Sequence, residues 1–312
     1  MNPVLQAIEP GLFTTLQDLG RLNAVASGVP PGGAMDRFAH TSANLLAGNA
    51  PQDAALECTM SGPVLLAEQP CVVAVTGADF DPRVNGATVQ MWASIFLARG
   101  DRLSFGGRRS GARTYIAVAG GFEADKWLGS RSTNILAVHG GLHGRQLRAG
   151  DALSVASERT APSIAGRALR VDLWPDYSSD KLLAVPGPHF KRLDAEGRRL
   201  LFSATFRMSR DADRMGSRLE GPRLVTSGDE LLSFGLVAGA VQLPHSGQPI
   251  LLMADHQTAG GYPVVATVIS ASLPRAAQLV PGDAVQFVQA TMAQADQRRA
   301  DLRAALGSLS AS

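Results

Sequence analysis

The sequence predicts a mainly β protein built from two domains. Its 312 residues exceed what one hydrophobic core usually holds and suit two domains of ordinary size. The apolar segments are short and end at turn residues, and 33 glycines and 18 prolines are spread along the chain. Hydrophobic residues make up 45% and charged residues 18%, so a sizeable core can form and the composition is not that of a disordered protein.

Short apolar segments supply the predicted strands. Each is bounded by residues that favour turns, which is typical of strands joined by tight connections. The clearest segments are 64–66, 71–76, 94–97, 115–118, 169–173 and 250–253. The pair Asn85-Gly86 predicts a hairpin turn, because both residues adopt positive φ angles readily.

A few short helices are predicted among these strands. From Met35 to Leu46 the apolar residues recur at helical spacing, with Asp36 as a candidate N-cap. A second helix is expected over about 190–201, although Gly197 weakens it. A third is expected over about 291–306, near the end of the chain.

The domain boundary is predicted in a polar segment near the middle of the chain. Residues 157–166 lack hydrophobic periodicity and contain proline and glycine, as linkers do. We therefore predict an N-terminal β domain over 1–160 and a C-terminal β domain over 161–312. The second domain ends in the helical tail.

Charge and cysteine content argue against several classes of function. The formal net charge is +2, and no basic run interleaved with aromatic residues predicts nucleic-acid binding. No apolar run approaches the ~20 residues that span a bilayer, and residues 1–6 do not resemble a signal peptide. Cys58 and Cys71 have neither metal-ligand nor redox spacing. We expect a cytoplasmic protein that contacts neither nucleic acid nor membrane.

Familiar catalytic and cofactor motifs are missing from the sequence. It contains no Gly-x-x-x-x-Gly-Lys-Ser/Thr phosphate loop, no Gly-x-Ser-x-Gly elbow and no lysine between methionines of the kind that carries biotin. His139 and His143 are four residues apart, but the glycines around them argue against the helix that would bring both to one metal ion. We expect no metal site and no cofactor held by a recognisable motif.

Polar residues directly follow the buried strand predicted at 250–253. An acid, an imidazole, an amide, a hydroxyl, two glycines and an aromatic ring come in sequence at Asp255, His256, Gln257, Thr258, Gly260, Gly261 and Tyr262. Such a cluster is unexpected at an ordinary strand end, and the glycines let the backbone approach a ligand closely. The alternative is a structural Asp255 that bonds only the amides of Gly260 and Gly261.

Two further polar clusters lie elsewhere in the chain. The first contains Gln17, Asp18 and Arg21, and the segment that follows it leads to Asp36. The other spans 211–222 and includes Arg214. Each residue has a structural alternative: Asp36 is favoured as a helix cap, and Arg214 as easily forms a surface ion pair with a neighbouring aspartate.

Taken together, these segments resemble the family that includes allophanate hydrolase subunit 2, the C subunit of 5-oxoprolinase and biotin-dependent carboxyltransferase domains. The resemblance runs from about Gly11 to about Phe287 and rests on the order and spacing of several pieces, among them 43–49, 55–57, 76–78, 119–122 and 129–132. It implies two cyclophilin-like β-barrel domains. It also implies two partners. One is smaller and similar to allophanate hydrolase subunit 1 or the B subunit of 5-oxoprolinase, and the other is larger and similar to the A subunit of 5-oxoprolinase.

A site for an amide substrate needs an acceptor for its N–H group, donors for its oxygen and a cation for a carboxylate or phosphate. We predict Asp255, Gln257 and Arg214 as catalytic residues, with Asp255 as the base. The predicted substrate-binding residues are Gln17, Asp18, Arg21, Asp36, Gln242, Thr258, Gly260, Gly261 and Tyr262. The chain departs from the family at His256, where arginine is common, so no catalytic role is carried over to this residue.

Three functions fit these residues. The leading hypothesis is a subunit of an ATP-dependent 5-oxoprolinase, which hydrolyses 5-oxo-L-proline to L-glutamate only with its partners and uses ATP through the complex. The first alternative is a carboxyltransferase component that moves a carboxyl group from carboxybiotin on a separate carrier to urea or a related amide. The second is a non-catalytic regulatory subunit that binds a partner.

Overall fold

The computed structural model describes residues 3–157 and 164–310, and it confirms the mainly β prediction. The strands are β1 (Leu5–Glu9), β2 (Phe13–Gln17), β3 (Ala55–Thr59), β4 (Val64–Ala67), β5 (Cys71–Gly77), β6 (Pro82–Val84), β7 (Ala87–Thr88), β8 (Ala93–Leu97), β9 (Arg102–Phe105), β10 (Arg113–Val118), β11 (Ala152–Leu153), β12 (Lys181–Pro186), β13 (Phe206–Met208), β14 (Gly216–Glu220), β15 (Phe234–Gly235), β16 (Ala240–Gln242), β17 (Ile250–Leu252), β18 (Ala259–Gly260), β19 (Val264–Val268) and β20 (Ala284–Gln289). The α-helices are α1 (Arg37–Leu46), α2 (Ala195–Ser203), α3 (Leu273–Ala277) and α4 (Met292–Ser310). Within the described ranges no helix has the length and hydropathy needed to cross a bilayer.

The described residues group into two compact units. The first comprises those within Met1–Arg21, Gly32–Tyr177 and Arg303–Ser312, and the second those within Leu22–Pro31 and Ser178–Leu302. The predicted boundary at 160/161 falls in 158–163, which lie outside the described residues. The chain passes between the units after Arg21, after Pro31, after Tyr177 and after Leu302.

Two sheets and one helix form the core of the first unit. A six-stranded sheet has the order β11-β1-β4-β9-β6-β7, and a five-stranded sheet has the order β2-β3-β10-β5-β8. Every residue of β5 is buried, and α1 packs on β5 and β10. Such a strand reads as a continuous apolar run because both of its faces are covered.

A closed seven-stranded barrel forms the second unit. Its strand order is β12-β19-β16-β17-β14-β13-β20, and β12 closes onto β20 in parallel. Phe206 and Phe287 lie fully buried with their ring centroids 6.0 Å apart. Outside the barrel, β15 and β18 form a two-stranded ladder.

Several local predictions hold and two need correction. The hairpin at Asn85-Gly86 is present, with φ angles of 51° and 86°. The strand predicted over 169–173 is wrong: Val171–Leu173 is a 3-10 helix, and the following Trp174 stacks on Trp92 at 5.6 Å. Packing between these rings overrides the strand preference of the apolar residues.

The helix predicted over 190–201 is divided in two. A 3-10 helix covers Phe190–Arg192, and α2 begins only after Asp194, which accepts a 2.6 Å bond from the amide of Gly197. An N-cap at this position starts a new helix, because its side chain satisfies a free amide of the first turn.

Both cysteines are buried in the first unit and should be unreactive. Burial raises the pKa of the Cys71 thiol to about 12 and that of Cys58 well above its usual range. At pH 8 neither forms thiolate, which is the nucleophilic species. We expect iodoacetamide to label the native chain at least about 100-fold more slowly than the unfolded chain. Rapid labelling of either native thiol, followed by mass spectrometry, would show that this part of the core opens readily.

Candidate functional site

Strand pairing in the barrel brings two predicted catalytic residues close together. Strands β14 and β17 run antiparallel, with Gly216 opposite Leu252. One backbone bond continues this register beyond the strand ends, from the amide of Met253 to the carbonyl of Met215 at 3.0 Å. The next bond, from the amide of Asp255 to the carbonyl of Arg214 at 2.8 Å, follows a shift of one residue. The side chains of Arg214 and Asp255 are thereby brought together.

Arg214 and Asp255 form a bidentate ion pair. Arg214 Nε lies 2.8 Å from Asp255 Oδ2, and Arg214 Nη2 lies 3.2 Å from Oδ1. Their side chains are only 13% and 23% exposed, so the alternative of an Arg214 on the surface does not describe this site. Paired N–H donors fix the plane of the carboxylate as well as its position.

Two amide side chains, one buried and one half-buried, lie close to the same loop. Gln257 Nε2 donates to Gln242 Oε1 at 3.1 Å, and Gln242 is 1% exposed. In the part of the chain that the structure describes, Gln242 Nε2 has no hydrogen-bond partner. A buried donor without a partner costs about 1–3 kcal/mol, so native proteins keep few of them. This amide is the clearest sign of a ligand position in the barrel unit.

Gly260 lies close to the free amide. A Cβ at Gly260 would lie 3.1 Å from Leu236 Cδ1, 3.2 Å from Gln242 Nε2 and 3.6 Å from Gln257 Nε2. The strand β18, to which Gly260 belongs, is held by pairing with β15. A side chain at this position would press on the ends of these three side chains, which glycine avoids.

The other residues of this loop differ in their exposure and in their hydrogen-bond partners. The carbonyl of Thr258 accepts a 2.9 Å bond from the amide of Leu236. Tyr262 is 44% exposed and meets the ring of His245 edge-on at 6.3 Å. His256 is buried, and its Nδ1 lies 2.7 Å from the carbonyl oxygen of Gln257.

In the first unit, Asp18 is enclosed by hydrogen-bond donors. Its carboxylate accepts from the hydroxyls of Ser130 and Ser132 and from the amides of Gly20 and Arg131, at 2.5–2.7 Å. Burial alone would raise the pKa of Asp18, but these four bonds together lower it below its usual range. The carboxylate is ionised and its bonds organise the loop around it.

Gln17 and Arg21 belong to the same buried region. Arg21 is 2% exposed, donates to the carbonyl of Ser132 and lies 4.9 Å above the ring of Trp127. Gln17 Nε2 donates to Thr15 Oγ1 at 3.0 Å, while Gln17 Oε1 has no partner among the described residues. Gln17 thus offers a buried acceptor, whereas Arg21 contacts the protein itself.

Asp36 caps α1, the structural role that its position before the helix favours. Its Oδ1 accepts from the amide of Ala39 at 3.0 Å, and its Oδ2 accepts from the hydroxyl of Tyr177. The amide of Asp36 donates to Tyr115 Oη, which donates in turn to Glu57 at 2.7 Å. Burial, together with the carboxylates of Glu57 and Asp36, raises the pKa of Tyr115 well above its usual value.

Sequence reasoning misses the residues that hold these side chains. Ser130 and Ser132 belong to the resemblance, yet nothing in the sequence links them to Asp18, which is more than 110 residues away. Their alternation is the available signal, because residues two apart in extended chain face the same side. Glu57 and Tyr115 are adjacent on paired strands, which only the register reveals.

Comparison with known proteins identifies the class to which this fold and site belong. The carboxyltransferase domain family, subdomains A and B, matches residues 27–289, and the chain belongs to this family. The C subunit of the 5-oxoprolinase from Escherichia coli (strain K12) is 36% identical over 96% of this chain and 95% of its own length.

Longer relatives contain the same fold as one part. The urea amidolyase of Lachancea kluyveri is 31% identical over 97% of this chain but only 18% of its own length. The solved structure of the Kluyveromyces lactis urea carboxylase superposes with a TM-score of 0.93 at 30% identity, over 99% of this chain and 29% of that chain. The chain therefore spans nearly all of the first relative and less than a third of these two.

Asp18→Asn tests the network around this carboxylate. Charge-assisted hydrogen bonds each contribute about 1.5–3 kcal/mol, and the Asn NH2 group would face the N–H of Arg131 if it replaced Oδ2, or that of Gly20 if it replaced Oδ1. We therefore expect the variant to lose about 2–4 kcal/mol in its free energy of unfolding at pH 7, measured by urea denaturation.

The stabilisation that Asp18 contributes depends on pH. Because the folded pKa of Asp18 lies below its ordinary value of 3.8, its stabilisation is present above that pH and is lost as the pH falls through the folded pKa. The exposed Asp211→Asn is the matched control and should change stability by less than about 0.5 kcal/mol. Equal losses in the two variants would contradict a structural role for Asp18.

Proposed function

We propose that this chain is one subunit of an ATP-dependent 5-oxoprolinase, which hydrolyses 5-oxo-L-proline to L-glutamate together with partner subunits. The observation that carries the proposal is the buried, unpartnered Nε2 of Gln242 among the described residues, which lies next to Gln257 and in the same unit as the Arg214–Asp255 pair. The 36% identity to the C subunit of a 5-oxoprolinase, over nearly the whole length of both chains, supports the choice of reaction.

The substrate offers groups that complement these side chains. A lactam has one carbonyl oxygen that accepts hydrogen bonds and one N–H group that donates. Gln242 Nε2 supplies a donor for the oxygen, and glycine at position 260 places no side chain against that amide. A site that pairs its own buried donor with a substrate oxygen rejects molecules without that oxygen.

ATP would activate the lactam, which is otherwise stable to water. Phosphoryl transfer from ATP to the lactam oxygen releases ADP and makes the ring carbonyl carbon electrophilic. Water attacks that carbon and gives a proton to Asp255, the C–N bond breaks, and the nitrogen leaves as an amine that takes the proton back. A second water then releases phosphate, which leaves L-glutamate.

Asp255 retains the capacity to act as the base while it is paired. A carboxylate has about four lone-pair positions, and the two bonds from Arg214 occupy one on each oxygen. Arg214 thus acts by holding the carboxylate in one plane, which orients its remaining lone pairs. Gln257 in turn holds the amide of Gln242 in place.

The partners in this proposal are a smaller protein similar to the B subunit of 5-oxoprolinase and a larger one similar to the A subunit. The test is co-purification of the chain with the proteins encoded beside it, followed by an assay of ATP hydrolysis with and without 5-oxo-L-proline. We expect ADP release that depends on 5-oxo-L-proline and yields an equal amount of L-glutamate. An assembled complex without such turnover would contradict the proposal.

Carboxyl transfer is the second candidate, because the urea carboxylase of Kluyveromyces lactis superposes on 99% of this chain. In that reaction the carboxyl group passes from carboxybiotin on a separate carrier to urea or a related amide. Adding a carboxylated, biotinylated carrier and labelled urea separates the two reactions. Transfer of label to urea without ATP would favour this candidate over lactam hydrolysis.

Asp255→Asn separates a catalytic role from a regulatory one. Loss of the base should lower kcat by about 100-fold or more, because general base catalysis contributes about 10²–10⁴-fold. The complex should still assemble, as judged by size-exclusion chromatography. Asp211→Asn, an exposed aspartate in the same unit, is the matched control. Full turnover by Asp255→Asn would leave a non-catalytic binding role as the better account.

Gln242→Met tests the free amide with a side chain of similar shape. Without its donor the substrate oxygen loses one hydrogen bond, so we expect kcat/KM for 5-oxo-L-proline to fall about tenfold or more. The exposed Gln289 on β20 provides the control, Gln289→Met, which should leave kcat/KM unchanged. An unchanged kcat/KM in Gln242→Met would remove the observation on which the proposal rests.

A further inference from the structure

An open cleft in the barrel unit is bordered by Gly261, the residue after the glycine that contacts the amides of Gln242 and Gln257. Its volume is about 290 Å³, near the lower end of ligand pockets, so it suits a molecule the size of an amino acid. A Cβ at Gly261 would lie 2.9 Å from the carbonyl oxygen of Leu231, which lines the cleft, whereas a Cβ at Gly260 would meet the amides. We call this space the Arg192 cleft; its polar walls are Arg192, Asp229, Glu230, His245 and Tyr262.

Arg192 is held rigidly at one wall of this cleft. Its Nη1 donates to the carbonyl of Asp229 at 2.6 Å, and its own carbonyl accepts from the amide of Ser227 at 2.9 Å. Gly228, with a φ of 98°, lets the loop lie flat on the guanidinium: a Cβ there would be 3.3 Å from Arg192 Cζ. A side chain restrained in this way loses less rotamer freedom when it binds a ligand.

The free edge of Arg192 is suited to a carboxylate. Among the described residues, no side chain forms an ion pair or hydrogen bond with its Nε or Nη2. A planar guanidinium with two free N–H groups binds a carboxylate through two parallel bonds. Burial lowers the pKa of the nearby His189, and the positive charge of Arg192 lowers it further.

The charges of the cleft favour a zwitterion over a simple anion. Arg192 brings one positive charge, while Asp229 and Glu230 bring two negative charges, so an anion without a positive group would meet net repulsion. A ligand with a carboxylate and an ammonium group satisfies both signs. Tyr262 and His245 add a hydroxyl and a ring N–H that could bond a further polar group of the ligand.

We propose that the Arg192 cleft binds a free α-amino acid, with the α-carboxylate on Arg192 and the α-ammonium facing Asp229 and Glu230. The amino acid that we assign is L-glutamate, and this identity rests on the proposed function, in which L-glutamate is the product. The cleft then receives the product beside Gly261, next to the glycine that contacts the amides of Gln242 and Gln257. It retains L-glutamate when the product accumulates.

Isothermal titration of L-glutamate into the full chain tests the proposal. We expect saturable binding with one site per chain. Arg192→Gln should weaken binding at least tenfold, whereas Arg199→Gln should not change it, because Arg199 is exposed on α2 and pairs with Glu196. Absence of saturable binding, or equal affinity in the Arg192→Gln variant, would overturn the proposal.

A second variant and a second probe check the assignment of the ammonium group. Asp229 and Glu230 are exposed, so Asp229→Asn with Glu230→Gln should fold normally and bind L-glutamate at least tenfold more weakly. N-acetyl-L-glutamate, which lacks the ammonium, should bind the parent chain at least tenfold more weakly than L-glutamate. Equal affinity for the two probes would show a site for plain anions and refute the α-amino acid assignment.

The L-glutamate binding experiment and the 5-oxo-L-proline turnover assay can fail independently of each other. If the assembled complex turns over 5-oxo-L-proline but the chain does not bind L-glutamate, only the cleft proposal fails. If L-glutamate binds through Arg192 and the complex shows no turnover of 5-oxo-L-proline, the cleft is an amino acid site and the proposed reaction is wrong.

Discussion

The pairing of β14 with β17, carried two bonds past the strand ends, is the constraint on which the candidate site depends. The register sets Gly216 against Leu252, and past the strand ends the backbone bond from Asp255 to Arg214, one residue out of that register, brings the two side chains together. The bidentate ion pair thus depends on this strand pairing and on the out-of-register backbone bond that follows it.

The two polar clusters look alike in sequence but differ in how their bonds are satisfied. In the first unit the carboxylates of Asp18 and Asp36 accept from hydroxyls and amides of the protein itself. In the barrel unit Gln242 holds a buried donor without a partner among the described residues. Satisfied groups stabilise a fold, while an unsatisfied one is kept only where something else supplies its bond. Gln17 Oε1 in the first unit is also unpartnered among the described residues, but the barrel unit alone combines such an atom with the bidentate Arg214–Asp255 pair.

Local signals in the sequence predict much of the fold. The Asn85-Gly86 hairpin and the helix after Asp36 depend on neighbouring residues alone, and both are present. The 3-10 helix at Val171–Leu173 could not be foreseen, because it depends on packing of Trp174 against a residue far away in the chain. The same limit applies to the site. Sequence chemistry indicates Arg214 and Asp255 separately, but their pairing across 41 positions follows from strand register.

The Arg192 cleft shows a different limit of sequence reading. Arg192 lies inside a predicted helix and carries no motif, so nothing in its neighbourhood suggests a ligand. Its proposed role in binding a ligand depends on the loop that includes Gly228 and Asp229, which folds back onto the guanidinium. Basic residues held by backbone carbonyls are not visible as patterns, since any residue can supply the carbonyl.

The proposed function depends on a hydrogen bond from the buried amide of Gln242 to the substrate oxygen in the barrel unit. A crystal structure of the assembled complex with 5-oxo-L-proline and a non-hydrolysable ATP analogue tests it most directly. We expect the lactam oxygen to lie within about 3.2 Å of Gln242 Nε2, with the ring against Gly260. A lactam bound elsewhere, with Gln242 Nε2 bonded to an ordered water or to the protein, would contradict it.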